Sequence, residues 1–301
     1  MAAFPDTLSL AAGDLRADIA PELGGRVARF WAQGAAPVEF LAPIRRDIPL
    51  DEALRRGGCY PLAPYSNRVA EAAFRWKGRP ITLQAHPLSR PHALHGLAWT
   101  RSFEVVAATA TQVRLRLDHE GDADWPWPLT VVETFALSPE GLRLELEVLN
   151  RAAESQPVGL GFHPFFPRRA AARLTFAAKG LWRTGPDLIP TGLGPVPIDL
   201  DFALGRAVPE GLDDVFEGVA PRARIDWPAD GASPGWRLIL NASPRLNRAV
   251  LFSPPGSDIF CFEPVSHPTN ALNAPGRPGL FRLAPGATAR VALSLWPKKL
   301  L

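Results

Sequence analysis

The sequence predicts an all-β protein, a large antiparallel β-sandwich with few short helices, and three observations carry that expectation. Apolar and polar residues alternate with a period of two in Val113-Arg114-Leu115-Arg116-Leu117, in Leu142-Arg143-Leu144-Glu145-Leu146-Glu147-Val148 and in Val291-Ala292-Leu293-Ser294-Leu295-Trp296. Such stretches read as strands with one buried and one solvated face, which suits antiparallel sheets. The 33 prolines and 25 glycines are spread along the chain and cut it into short segments, as in Ser253-Pro254-Pro255-Gly256 and Ala284-Pro285-Gly286. That is the texture of a sandwich with many turns. Helical patterns are scarce, with one candidate short helix around residues 51–56.

With 301 residues, 47% of them apolar, the chain can bury a sizeable core. It shows neither an interdomain linker nor an internal repeat, so one domain over residues 1–301 is expected. The proline-rich piece at 184–209 is the loosest region and reads as a packed excursion over the sheet.

A formal charge of +3 comes from 33 basic and 30 acidic residues that are interspersed. No nucleic-acid or membrane partner is expected from so scattered an excess. Cys59 and Cys261 lie far apart, with no metal-ligand spacing and no disulfide framework. A reducing compartment, a start without a signal-like apolar region and the lack of any long apolar span together predict a cytoplasmic protein. His92 and His95 lack a paired histidine-and-carboxylate pattern nearby, so no metal is expected. The sequence also lacks a GxSxG elbow, a Walker loop and a GxGxxG after a strand, and no cofactor is expected.

The residues that could carry chemistry begin with Glu263. The apolar run Ile259-Phe260-Cys261-Phe262 delivers this carboxylate into Pro264. A half-buried glutamate is disfavoured as a charge, so its pKa should rise toward the range useful for proton transfer. His163 stands in the same kind of setting, between Phe162 and Pro164-Phe165-Phe166, where it must find a partner or lose solvation. Arg68, beside Asn67 in Tyr65-Ser66-Asn67-Arg68, could give forked hydrogen bonds to substrate hydroxyls or simply flank a strand. His95 precedes Gly96, which needs no side-chain room, and is either a ligand contact or a turn histidine. Asp213 and Asp214 could bind a sugar hydroxyl or shape a turn before a strand. Among the tryptophans, Trp99, Trp125 and Trp127 could offer flat faces to sugar rings or belong to the core.

In this order, Asn67-Arg68, His95-Gly96, His163-Pro164-Phe165-Phe166, Pro190-Thr191-Gly192, Leu212-Asp213-Asp214-Val215-Phe216 and Phe262-Glu263-Pro264 resemble the aldose 1-epimerase (galactose mutarotase) family. The likeness runs from Pro21-Glu22-Leu23-Gly24-Gly25 to the final strand. It implies the galactose mutarotase-like supersandwich and an isomerase that interconverts the α and β anomers of an aldose. It further implies Glu263 as general base, His163 as general acid, and Arg68, His95, Asp213 and Asn67 as substrate-binding residues. Asp214 stands where well-studied galactose mutarotases tend to carry histidine, and Pro264-Val265-Ser266-His267-Pro268 follows Glu263. Both features resemble the broader, less characterised branch of the family and leave the preferred aldose open.

The expected partner is therefore a small aldose, a hexose, with the protein a monomer or homodimer. Two other readings stand beside it. A hexose 6-phosphate would need a cationic pocket, for which Arg168-Arg169 could supply charge. A non-catalytic sugar-binding or regulatory protein could keep the sandwich and the pocket.

Overall fold

The computed structural model describes residues 4–229 and 234–300. Among them the strands gather chiefly into an eleven-stranded and an eight-stranded sheet, and every paired ladder in the two is antiparallel. The three alternating segments become Gln112–His119, Gly141–Asn150 and Thr288–Lys299, all in the smaller sheet. Their inward residues, such as Leu115, Leu144, Leu146, Val291 and Leu293, pack in one cluster with Val27, Phe30, Phe162, Phe166, Phe260 and Phe262 of the larger sheet. Burial of these facing rows is what holds the sandwich closed.

The larger sheet has its middle at Cys59–Leu62, Gly161–Pro167 and Ile259–Val265, which are adjacent in that order. Period-2 geometry sorts the side chains here into two sets. Phe162, Phe166, Phe260 and Phe262 enter the main core, whereas Tyr60, Leu62, Phe165, Cys261 and Val265 form a separate cluster on the outer face. His163 and Glu263 belong by alternation to that outer set. Sequence separation thus hides a simple fact: two residues 100 positions apart occupy neighbouring strands of one sheet face.

The candidate helix is real but short, Leu50–Ala53, and 3-10 turns account for the other helical pieces. The 184–209 region carries the strand Pro190–Gly194, which pairs with Gly180–Thr184 at the end of the large sheet, and anchors through buried Phe202. Leu193, Ile198 and Leu204 nevertheless face outward, so the excursion is only partly packed. Asp213 and Asp214 do not shape a turn before a strand; they lie within the strand Leu212–Glu217. Both cysteines are free and buried. Among the described residues no helix is long and apolar enough to cross a membrane.

Candidate active site

Register brings the first two candidates together. Gly161 pairs with Val265 and Phe165 with Cys261, so position 163 faces position 263 across the ladder between those pairs. No paired residues intervene there, and the reason is chemical: Pro164 and Pro264 have no N–H to donate to a ladder. In this gap His163 Nε2 lies 3.2 Å from Glu263 Oε1, with both side chains almost wholly buried. The imidazole is stacked by Tyr60, centroids 4.4 Å apart, and by Phe165 at 4.6 Å.

Burial pushes the Glu263 carboxyl well above its usual range, with the Asp213 charge adding to the rise and Arg68 opposing it. Burial likewise holds His163 well below the ordinary imidazole range, helped by His95 and Arg26. The pair therefore rests as a neutral couple with one transferable proton between oxygen and nitrogen.

Asn67 and Arg68 come from a segment outside the two large sheets, where the short strand Arg68–Val69 pairs with Ala93–Leu94 and side chains hold much of the remaining backbone. Asn67 N–H donates to His95 Nδ1 at 3.1 Å, Ser66 N–H to His267 Nε2 at 3.0 Å, and Ala70 N–H to Asn270 Oδ1 at 3.0 Å. Glu71 N–H donates to His92 Nδ1 at 3.1 Å, which gives that histidine a structural task. Asn67 has φ 58°, a left-handed conformation that asparagine tolerates, and its Oδ1 accepts from Arg68 N–H at 2.8 Å and Arg68 Nη1 at 3.0 Å. The Arg68 side chain is thereby aimed at Asp213, with Nη2 to Oδ2 3.1 Å.

His95 uses Nδ1 as an acceptor, so its neutral tautomer carries the proton on Nε2 and can donate it. Burial, with Arg68 and His86 adding, pulls its pKa down to about 3. The choice between the two aspartates follows from strand alternation. Asp213 shares its face with Val215, which packs with Tyr60 and Val250 on the outer side, whereas Asp214 pairs with the core residue Leu251 and points the other way.

All six predicted site residues line one cavity of about 200 Å³. Ligand sites for drug-sized molecules usually run from roughly 300 Å³ upward, so this one suits a single sugar ring. Trp99 and Leu88 contribute apolar walls, and Arg55, just past the short helix, stands among the lining residues. Trp125 and Trp127 are instead core residues that pack with Phe74. Arg168 and Arg169 do not line the cavity. Arg168 donates to Val208 O and Ser253 Oγ and Arg169 to Glu39 O, so these guanidinium groups are held away from the cavity.

Tyr60, His267 and Asn270 carry roles that the sequence reading did not assign. Tyr60 sits in an apolar Cys-Tyr-Pro-Leu run that signals a buried strand, but nothing local shows that its partner is the strand carrying His163. The contacts of His267 and Asn270 reach back about 200 positions, and no local pattern encodes them.

A large antiparallel sandwich with a buried imidazole–carboxyl pair in a polar, sugar-sized cavity of one outer sheet face defines a galactose mutarotase-like protein. The chain belongs to the aldose 1-epimerase family, whose model, described as "Aldose 1-epimerase", matches residues 6–296. It is 28% identical over 296 residues to the uncharacterized protein YphB of Escherichia coli (strain K12), covering 95% of this chain and 97% of that one. A crystal structure of a candidate aldose 1-epimerase from E. coli K12 superposes with a TM-score of 0.88 at 28% identity, covering 98% of this chain and 99% of the other. A galactose mutarotase-like protein from Clostridium acetobutylicum shares the fold, with a TM-score of 0.85 at 18% identity over 98% of this chain and 95% of its own.

Proposed function

We propose that this protein interconverts the α and β anomers of a free aldose by opening and reclosing the sugar ring, with Glu263 as general base and His163 as general acid. The observation that carries the reading is the 3.2 Å approach of His163 Nε2 to Glu263 Oε1 on the wall of a sugar-sized cavity. Anomerisation moves two protons on two oxygens, the C1 hydroxyl and the ring oxygen, which are bonded to the same carbon. A donor and an acceptor that serve geminal oxygens must themselves be neighbours.

The proton inventory fits. A transfer from Glu263 to His163 across their contact turns the neutral couple into carboxylate and imidazolium without exchange with solvent. Glu263 then takes the C1 hydroxyl proton, the carbonyl forms, the bond from C1 to the ring oxygen breaks, and that oxygen takes the proton of the imidazolium. Rotation about C1–C2 presents the other carbonyl face. On closure the C5 hydroxyl attacks C1 and returns its proton to His163, while Glu263 protonates the new C1 oxygen. Among the described residues Glu263 Oε2 has no hydrogen-bond partner, which suits an oxygen whose partner is the substrate hydroxyl. Arg68, Asp213 and the Nε2–H of His95 supply donors and an acceptor that orient the remaining hydroxyls, and Asn67 fixes Arg68.

The test is an anomerisation screen by polarimetry across free aldoses and their 6-phosphates, with binding measured alongside. Acceleration with at least one sugar is expected, falling about 10²- to 10⁴-fold in Glu263→Gln while binding persists. Binding without acceleration for every sugar would overturn the enzymatic reading and leave a sugar-binding protein.

A further inference from the structure

The outer sheet face continues beyond the proton pair to a charge that the reaction itself does not use. Arg26, Tyr60, His163 and Glu263 form one row across four adjacent strands: Val27 pairs with Cys59, which sets Arg26 beside Tyr60, and Tyr60 pairs with His163. Arg26 is fully buried. Its guanidinium lies 4.9 Å from the centre of the Tyr60 ring, the ring that stacks on His163. Three backbone carbonyls hold it there: Leu23 O at 2.6 Å, Leu54 O at 2.8 Å and Trp99 O at 3.2 Å. Trp99 lines the cavity and Leu54 precedes the lining residue Arg55, and the Trp99 ring itself stacks on Tyr60 at 5.4 Å.

A buried arginine is costly unless its hydrogen bonds are met, and this one meets them on carbonyls rather than on a carboxylate. Its positive charge is consequently not neutralised by an ion pair. We infer that Arg26 is a positioning residue for His163: acting through Tyr60, it fixes the imidazole in its stack and stands as a buried positive charge behind it. The inference rests on the reading of His163 as proton donor. A ring oxygen is a weak base, so a donor that holds its proton poorly protonates it better. A cation nearer to His163 than to Glu263 disfavours imidazolium more than it favours carboxylate, so it keeps the resting couple neutral and makes the imidazolium, once formed in turnover, a stronger acid toward the ring oxygen.

The other titratable groups around this row are Tyr60, Cys59, Cys261 and Glu133. Burial raises the pKa of each well above its usual value, and the Arg26 charge opposes the rise at Tyr60, Cys59 and Glu133. Burial draws Arg26 down to about 10, and it stays charged. His95, which packs against Tyr60 and His163, is neutral, and Asp213 is paired with Arg68.

The experiment compares Arg26→Met, which keeps length and loses charge, with Arg26→Lys, which keeps charge. With ¹⁵N-labelled histidine, the His163 ring signals report imidazole or imidazolium directly, in folded protein and without any assay of activity. Between about pH 5 and 8, wild type and Arg26→Lys are expected to show neutral imidazole, and Arg26→Met a rise in imidazolium. In turnover, Arg26→Met should lower kcat about tenfold or more at little change in KM, and move the bell-shaped pH profile upward by about one unit. Unchanged His163 signals in folded Arg26→Met, or an equal change in Arg26→Lys, would overturn the inference. If Arg26→Met does not fold, Tyr60→Leu tests the same path: it should disorder the His163 ring signals while Arg26 stays, and sharp, wild-type signals would refute it. If the signals move as expected while no sugar is anomerised, the catalytic reading fails and the positioning of His163 by Arg26 stands.

Discussion

Arg68 Nη2 meets Asp213 Oδ2 at 3.1 Å, and this contact ties the loop-borne half of the site to its sheet-borne half. Arg68 opens the two-residue strand Arg68–Val69, which pairs only with Ala93–Leu94, while Asp213 belongs to the large sheet. Both side chains are about one-fifth exposed at the cavity, too accessible for the pair to be a structural core bridge and too enclosed to be an ordinary surface pair. The bridge also sets the field at Glu263, since Asp213 raises its pKa and Arg68 lowers it.

Asp213→Asn should therefore act on catalysis in two ways. Loss of a sugar contact raises KM, by about tenfold for a charged hydrogen-bond partner. Loss of a negative charge beside Glu263 makes the carboxylate easier to form, so the pH profile of kcat/KM moves to lower pH. Asp214→Asn, on the opposite face of the same strand, should do neither. Steady-state kinetics of the two variants check this, and equal effects would remove Asp213 from the site.

The wild-type pH profile is itself diagnostic. In the proposed mechanism the couple carries one transferable proton, so activity should fall when a second proton is added and when the last is lost. The second proton would make a buried imidazolium, and burial, with His95 and Arg26 adding, holds His163 well below its ordinary range. Loss of the last proton leaves a buried carboxylate near Asp213, and Glu263 is held well above its ordinary range. The expected bell is broad, with its acid limb below the usual imidazole region and its alkaline limb above the usual carboxylate region. A profile limited by a single ionisation would count against the couple.

How much of this was legible beforehand differs by kind of information. Alternation in the 142–148 segment predicts a strand because each residue's face depends only on its own parity, and Gly141–Asn150 follows. The apolar run before Glu263 likewise signals burial at its end, and Glu263 is 2% exposed. Convergence of Glu263 and His163 is not local; it came from the resemblance in motif order, and the sheet supplies its physical cause in the 161–265 and 165–261 register. The Asp213 or Asp214 choice was open because both fit a polar dipeptide, and only the strand's pairing partners decide the face. The sequence does not show the role of Arg26, since an arginine after two glycines looks solvated until the Leu54 and Trp99 carbonyls, far along the chain, close on it beside that of Leu23.

Acid should loosen the protein through its histidines. Burial keeps His95 and His267 neutral, with pKa values of about 3 and about 4, and each accepts a backbone N–H from the loop at 66–67. Both values lie below the roughly 6.5 of an unfolded histidine, so the unfolded chain binds more protons. Their stabilisation is complete above about pH 6.5 and is lost as pH falls through the folded-state values. Urea midpoints should therefore drop steadily on the acid side. His267→Gln, which keeps an acceptor for Ser66 N–H but cannot titrate, should flatten that dependence; an unchanged slope would exclude His267 as a source.

The last prediction concerns the backbone that presents His95. Gly96 has φ +69°, and a Cβ placed there would stand 2.4 Å from Ala63 O and 2.7 Å from Ala63 C. The obstacle is backbone, which cannot rotate aside, and Leu97 and Ala98 N–H groups both donate to that same Ala63 O. Gly96→Ala should thus cost well beyond the roughly 1–2 kcal/mol of left-handed strain alone, and should shift His95, lowering activity more than the residual stability explains. Gly78→Ala is the control, because Gly78 has φ +80° with no atom within 4 Å of its Cβ position. It carries the strain without the collision, so its urea midpoint should fall only slightly and its activity should stay. If the two substitutions cost the same, close approach of the Ala63 carbonyl is not what reserves position 96 for glycine.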